Sequence, residues 1–487
     1  MILANCKSWK LANKQLILLI LVALLVRLYR IDNPVADWHA FRQADTASVT
    51  REYVKHGVNL LEPKYHDLSN IQSGEDNLSG YRMVEFPLIN GLIASLIRAL
   101  PFLPLVTTSR LISVLASLGT LVFIYRFAIT ISHNKQIALL SGWWFALLPY
   151  SIYYSRVILP EPFFLFFSMG SLSFFATALT KKNFAIQPSF YLSAIFLSLA
   201  FLLKPFVVFL APVYLVLFFQ NQSWKKIFHW SWLVFIVIAL LPFWWWRQWI
   251  LQFPSGIPAS DWLFNSNQIR FRPAWFRWLF YERFTKLILG FTGLIFVAEG
   301  LLNNHKKINY LLWSWGVGLF AYLAIIATGN VQHDYYQVIF IPFIAILLGF
   351  GFSSLWSKAQ AEKKNLKLIK QVILIFLVTI MLADSWKNLG GYFNVNHWEY
   401  VEAGQVVDRL VPADAKVIAP AFGDTIFLFQ TNRTGWPIGF EIDKKIELGA
   451  THYVTTSYDD EARELEKKYK TLEKTKQYLL LDLRETK

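Results

Sequence analysis

Apolar runs long enough to cross a lipid bilayer recur through most of this chain, and lysines mark every second connection between them. The runs cover 15–31, 107–131, 136–154, 162–180, 188–203, 205–222, 228–246, 284–303, 309–328, 337–356 and 368–384. Hydrocarbon offers the backbone no hydrogen-bond partner, so each crossing must be a helix of about 20 residues. Of 487 residues, 55% are hydrophobic, 17% aromatic and 16% charged, against roughly 25% charged in soluble domains. The expected fold is an all-α polytopic membrane protein with about 11 transmembrane helices and further interfacial helices.

Charge sets the sides. Lys7, Lys10 and Lys14 precede the first run, and no small-residue cleavage site follows it. The run therefore reads as an uncleaved signal anchor with a cytoplasmic N-terminus. Residues 86–104 are apolar but carry Pro87, Pro101, Pro104 and Arg98. If they do not cross, Lys135, Lys181-Lys182, Lys225-Lys226, Lys306-Lys307 and the lysines of 357–370 all fall in cytoplasmic connections. If they cross, the positive-inside rule fails at every one of these sites. Residues 86–104 are therefore expected to lie along the outer interface as an amphipathic element. The expected location is the plasma (inner) membrane. The net charge of +15 is then a topology signal, and nucleic acid is excluded as a partner. The single cysteine, Cys6, permits no internal disulfide.

The tail has another character. Residues 397–487 are polar, mixed in charge and free of spanning runs. Val401–Leu410 and Glu461–Thr471 have helical periodicity; Ala415–Ala419, His452–Thr456 and Tyr478–Leu483 read as short strands. Two domains are expected: residues 1–385, spanning the membrane and including an outer loop 32–106, and residues 386–487, a small extracytoplasmic α/β domain.

Polar clusters interrupt the outer segments. The stretch Asp37-Trp-His-Ala-Phe-Arg-Gln-Ala-Asp-Thr46 follows the first run. Glu161-Pro162, Lys204, Arg270-Phe-Arg-Pro-Ala-Trp-Phe-Arg277 and Gln332-His-Asp-Tyr-Tyr336 occupy other connections assigned to the same side. Ionisable groups at a membrane edge are costly and are often functional.

The order of these motifs resembles the C-type glycosyltransferases, integral-membrane enzymes that use lipid-linked sugars. More narrowly, the chain is similar to the prokaryotic protein-mannosyltransferase and aminoarabinose-transferase-like group over roughly residues 10–385. The resemblance rests on Trp38–Thr46, Arg51-Glu52 with Gly57, Glu85-Phe-Pro87, Glu161-Pro162, Lys204-Pro205, and His333-Asp-Tyr-Tyr336 before a run containing Pro342. Phe86 stands where the aminoarabinose transferase has a lysine, so phosphate binding by that residue does not carry over.

The resemblance implies that a sugar moves from a polyprenyl phosphate to an acceptor hydroxyl, with inversion in one displacement. Such a step needs a base near the hydroxyl and positive charge on the departing phosphate. Asp45 is the candidate base, in the first turn of a helix expected over Ala44–His56 and ended by Gly57. Its structural alternative is a helix-dipole carboxylate paired with Arg42. Asp37 competes for the role. Glu161 is the opposite catalytic carboxylate or a plain helix start, and Asp45 with Glu161 gives two oxygen ligands for Mg²⁺ or Mn²⁺. His39 and Arg42 orient substrate or make interfacial contacts. Lys204, Arg270 and Arg272 bind donor phosphate, or anchor the protein at the interface. His333, Tyr335 and Tyr336 line the sugar pocket or belong to an aromatic belt. The partners implied are a polyprenyl-phosphate sugar donor, membrane lipids and a glycan, lipid or protein acceptor of the cell envelope. The competing function is a transporter or flippase of lipid-linked sugars, which internal repeats and mid-bilayer charges would mark; neither is evident.

Overall fold

Each of the expected apolar runs is helical in the computed structural model. It describes the backbone of residues 2–302 and 305–487; the side chains of residues 1–13, including Cys6, Lys7 and Lys10, lie outside the described residues. The chain is mostly helical (69%), with a small sheet near the C-terminus. Among the described residues, six helices are long and apolar enough to cross a membrane. A seventh crossing results if Pro273–Ile288 and Gly293–Leu302, bent by 107°, form one span. Pro188–Leu203 and Pro205–Asn221 are apolar but shorter.

The chain forms two compact units. The apolar unit comprises Met1–Tyr29, Ser113–Trp246 and Ser260–Gly391. Its centre is helix Ile341–Gln360, buried along most of its length. This helix packs against Lys135–Leu147 and Gly293–Leu302. Where it meets Gly293–Leu302, a Cβ on Gly351 would fall 1.8 Å from the Phe296 carbonyl oxygen, and one on Gly300 2.2 Å from that of Leu347. Small residues at such a crossing let two backbones approach closely.

A proline explains a break that the sequence does not announce. Residues 136–154 are two helices, Lys135–Leu147 and Pro149–Tyr154. Pro149 has no N–H to give the carbonyl four residues earlier, that of Phe145. The wholly buried Arg27 supplies the donors instead. Its guanidinium donates to the carbonyls of Phe145 and Ala146, each at 3.1 Å, and to Ser151 Oγ at 3.2 Å.

The polar unit comprises Arg30–Ile112, Arg247–Ala259 and Tyr392–Lys487. Its sheet has five strands: β1 (Lys416–Ile418), β2 (Thr434–Trp436), β3 (Ala450–Thr455), β4 (Tyr469–Lys474) and β5 (Leu479–Thr486). Their order is β2-β1-β3-β5-β4. β1 runs parallel to β2 and β3, and β5 antiparallel to β3 and β4. One face packs Ala403, Val407, Val417, Phe427 and Leu480; the other packs Ile418, Trp436, Tyr453 and Leu481. Leu68, from the loop after the first run, joins that second core. The same loop covers the β2 edge: Gly435 N donates to His66 O at 2.9 Å and Leu68 N to Gly435 O at 2.8 Å. An exposed strand edge is a template for unwanted pairing, and residues 66–68 remove it.

Two helices differ from expectation. The first begins at Ala40, not Ala44, because Ala40, Ala44 and Ala47 form one buried stripe. Asp45 therefore sits in the second turn, beyond the first-turn dipole position. Gly57 ends the helix as expected, at φ 98°. In the tail, the expected helix Glu461–Thr471 ends at Lys468, because Tyr469–Lys474 pairs with β5. The other expected tail helix and all three expected strands are present. Helix Leu88–Ala99 is 12 residues long, so it reaches only about 18 Å. It buries Gly91, Ile93, Ala94 and Ile97 and exposes Leu92 and Leu96.

Candidate active site

In the polar unit, helix Ala40–His56 places both candidate aspartates. Asp37 lies just before it and pairs with Arg110 at 3.2 Å, both side chains fully enclosed. Gln43 Nε2 donates to its other oxygen at 2.8 Å. His39 caps the helix in a left-handed conformation (φ 53°), uncommon for a residue with a Cβ. Arg42, a local partner for Asp45 in the structural alternative, forms an ion pair with Glu85. The motif arginine is thereby tied to Glu85-Phe-Pro87 from the same loop.

Asp45 is the centre of a larger network. One oxygen accepts from Thr425 Oγ1 at 2.8 Å. The other accepts from Gln72 Nε2 at 3.1 Å and faces Arg82 at 3.0 Å. Arg82 also donates to Gln72 and lies over the Tyr65 ring. Two further carboxyl groups share this neighbourhood. Burial pushes Asp67 up to about 6, with Asp45 adding to the rise and the Ser69 hydrogen bonds opposing it. Burial also pushes Asp424 up to about 6, again with a contribution from Asp45. His66 is driven down to about 3, chiefly by burial, and is neutral. Gln72, Arg82, Asp67, Asp424 and Thr425 were not legible as site residues. No short motif marks them, and three come from a loop and two from the tail.

In the apolar unit, Glu161 opens helix Glu161–Leu179. Lys204 occupies the single position between Pro188–Leu203 and the turn Pro205–Leu210. The two form an ion pair. The Lys204 ammonium also lies 5.4 Å and 5.3 Å from the ring centres of Tyr335 and Tyr336. Glu161 Oε2 is buried with no hydrogen-bond partner among the described residues. A small cavity is lined by Glu161, Lys204, Tyr322, Tyr335 and Tyr336. His333 stacks on Tyr335 at 5.3 Å. Asp334 accepts from Tyr154 and faces Arg283 at 3.5 Å; neither Asp334 nor Arg283 was expected at a site. Arg270 is half-buried, whereas Arg272 is exposed.

A cation held by Asp45 and Glu161 lacks a donor set. Among the described residues no group of three or more His, Cys, Asp or Glu side chains gathers to hold a metal. Asp45 already accepts from Thr425 and Gln72 and faces Arg82, and Glu161 faces Lys204.

Comparison with known proteins agrees with this architecture. Residues 91–246 match the dolichyl-phosphate-mannose-protein mannosyltransferase family. No curated protein matches by sequence. Among solved structures, ArnT from Cupriavidus metallidurans bound to undecaprenyl phosphate has a TM-score of 0.65 at 11% identity, over 96% of this chain and 97% of that one. The oligosaccharyltransferase of Archaeoglobus fulgidus, crystallised with Zn and sulfate, has a TM-score of 0.56 at 10% identity, over 91% and 68%. Arabinofuranosyltransferase AftD from Mycobacteria has a TM-score of 0.53 at 15% identity, over 91% and 36%. Residues 91–246 thus match a mannosyltransferase family, and nearly the whole chain shares the fold of ArnT.

Proposed function

We propose that the protein transfers a sugar from a polyprenyl-phosphate donor to an acceptor hydroxyl at the outer face of the membrane, inverting the anomeric carbon, with Asp45 as general base. The acceptor oxygen bonds to the anomeric carbon from the side opposite the phosphate. The bond from that carbon to the phosphate oxygen breaks, and its electron pair leaves with polyprenyl phosphate. The hydroxyl proton passes to the Asp45 carboxylate. The acceptor is a glycan, a lipid or a protein of the cell envelope.

One observation carries the choice of base. Both Asp45 oxygens are held, by Thr425 on one and by Gln72 and Arg82 on the other, and a base must be held in place to take up a proton. Asp37 and Arg110 are fully enclosed, whereas the Asp45 and Arg82 side chains keep a small exposure. The donor class is supported by the shared fold with a protein crystallised bound to undecaprenyl phosphate. Lys204 is proposed as the cation for donor phosphate, with Glu161 holding it in place and Tyr335 and Tyr336 flanking it. Arg270 is a second phosphate ligand, and His333 shapes the sugar pocket through its stack on Tyr335. His39, at the strained start of the Asp45 helix, orients the acceptor.

The test is turnover. Purified protein incubated with polyprenyl-phosphate sugars should release polyprenyl phosphate, and Asp45→Asn should slow the release by about 10²–10⁴-fold. Full turnover by both Asp45→Asn and Asp37→Asn would refute the assignment of the base. Movement of lipid-linked sugar across vesicles without transfer would replace the enzyme reading with a flippase.

A further inference from the structure

Thr425 lies 380 residues beyond Asp45, in a part of the chain with no spanning run. Its hydroxyl donates to Asp45 Oδ1 at 2.8 Å and lies 3.3 Å from the Phe41 carbonyl. Its own carbonyl accepts from the buried His66 ring at 3.2 Å. Short helix Ile426–Gln430 follows at once and is clamped onto helix Ala40–His56. Arg51 donates to Phe429 O at 2.7 Å and its guanidinium lies 4.4 Å from the centre of that ring. Lys55 donates to Asn432 O at 2.9 Å, and Gln430 donates to Val35 O at 2.8 Å. Thr425 is thus fixed from both sides before it reaches the carboxylate.

We infer that the C-terminal domain is a working part of the transfer site, and that Thr425 is a positioning residue that fixes the rotamer and charge state of Asp45. This rests on the reading of Asp45 as base. A carboxylate with one oxygen facing Arg82 and Gln72 can still rotate about its last bond; a donor on the other oxygen removes that freedom. A hydrogen bond to the charged form also favours that form. Around Asp45 the other titratable or charged groups are Arg82, Asp67, Tyr65, His66 and Asp424. Of these only Arg82 is shown pairing with the carboxylate. Thr425 is the neutral donor on the oxygen that Arg82 and Gln72 do not face.

The experiment uses the full chain in detergent or vesicles, with release of polyprenyl phosphate from a polyprenyl-phosphate sugar as readout. Thr425→Ala should lower kcat about tenfold, the order expected for losing a hydrogen bond to a charged group. The donor KM should stay within about twofold. The acidic limb of the rate profile should move to higher pH, because the carboxylate has lost a donor that favours its charged form. Thr425→Ser keeps the hydroxyl and should restore both kcat and the limb. In an Asp45→Asn background Thr425→Ala should cost nothing further, as expected for two residues acting as one unit. Equal impairment of the Ser and Ala variants, or an unmoved limb in the Ala variant with an inactive Asp45→Asn, would overturn the inference and leave the base standing. A fully active Asp45→Asn would overturn the base, and this role of Thr425 with it.

Discussion

The two compact units carry buried charge in different ways. In the apolar unit Glu161 meets one cation, Lys204, inside a wall of tyrosine rings. In the polar unit Asp45 meets an arginine, an amide and a hydroxyl, with two more carboxyl groups nearby. The first arrangement has no spare partner, so losing either member strands a charge in a low-dielectric setting. The second shares the load, and two of its carboxyl groups, Asp67 and Asp424, are held near 6. A lone pair suits a task of holding an anion; a network of carboxyls suits a task of moving a proton.

The sharpest way to break this comparison is to neutralise the two carboxylates in turn. Asp45→Asn should lower kcat by about 10²–10⁴-fold, the usual scale for a general base, in a protein that still folds. If it instead unfolds the protein, Asp45 is a strut and the contrast between units disappears. Lys204→Met should do the reverse of a catalytic change. It leaves Glu161 buried without a cation and should cost about 3–5 kcal/mol of stability. Adding Glu161→Gln should recover most of that loss while donor binding stays weak. A single Lys204→Met variant as stable as the parent would show that the pair is not buried in the working protein.

These pairs also show what the sequence could and could not reveal. Lysine placement and run length gave the helical segments, because hydrocarbon leaves the backbone few choices. The acid of each motif was visible for the same reason, since an ionisable group beside an apolar run is conspicuous. Partners were harder. Lys204 was found because it interrupts two spans, but Arg82 and Gln72 sit in a polar loop where such residues are ordinary. Thr425 lies in the tail, joined to Asp45 only by the fold. Helical spacing allowed Arg42 a local partner in Asp45, and tertiary packing gave it Glu85. Arg27 needed both ends of its interaction, a break at Pro149 and a cation on another helix, and neither is meaningful alone.

A smaller effect tests the polar network through pH. Asp67 has an ordinary value of 3.8 and sits near 6 in the folded protein. The folded state therefore holds this proton longer than the unfolded chain does. The stability it contributes is complete below 3.8 and is lost as pH rises through 6. Asp67→Asn cannot lose a proton, so it should flatten that fall and raise stability at pH 7 by about 1–3 kcal/mol. Thermal unfolding from pH 4 to 7.5 measures both. A parent and an Asp67→Asn variant whose stabilities run parallel over that interval would contradict the buried, protonatable carboxyl, because the contribution of His66 is common to both.

The smallest expected effect lies in the arginine loop of the apolar unit, where backbone strain distinguishes two similar side chains. Arg270 is half-buried, and its Nε has no hydrogen-bond partner among the described residues. Its backbone N–H is held by Asn265 Oδ1 at 3.1 Å. Just before it Asn267 and Gln268 both adopt φ 55°. Asparagine tolerates that region and glutamine does not, so the turn stores strain of about 1 kcal/mol at Gln268. Strain of this kind persists where the surroundings fix the chain, which suits a residue required at one place. Gln268→Gly should therefore stabilise the protein by about 0.5–1 kcal/mol, while raising the donor KM as the loop loses its rigidity. Arg270→Ala should raise that KM several-fold, and Arg272→Ala, which removes an exposed side chain, less than twofold. If Arg272 matters as much as Arg270, the loop acts through net charge and its strained turn has no bearing on the donor.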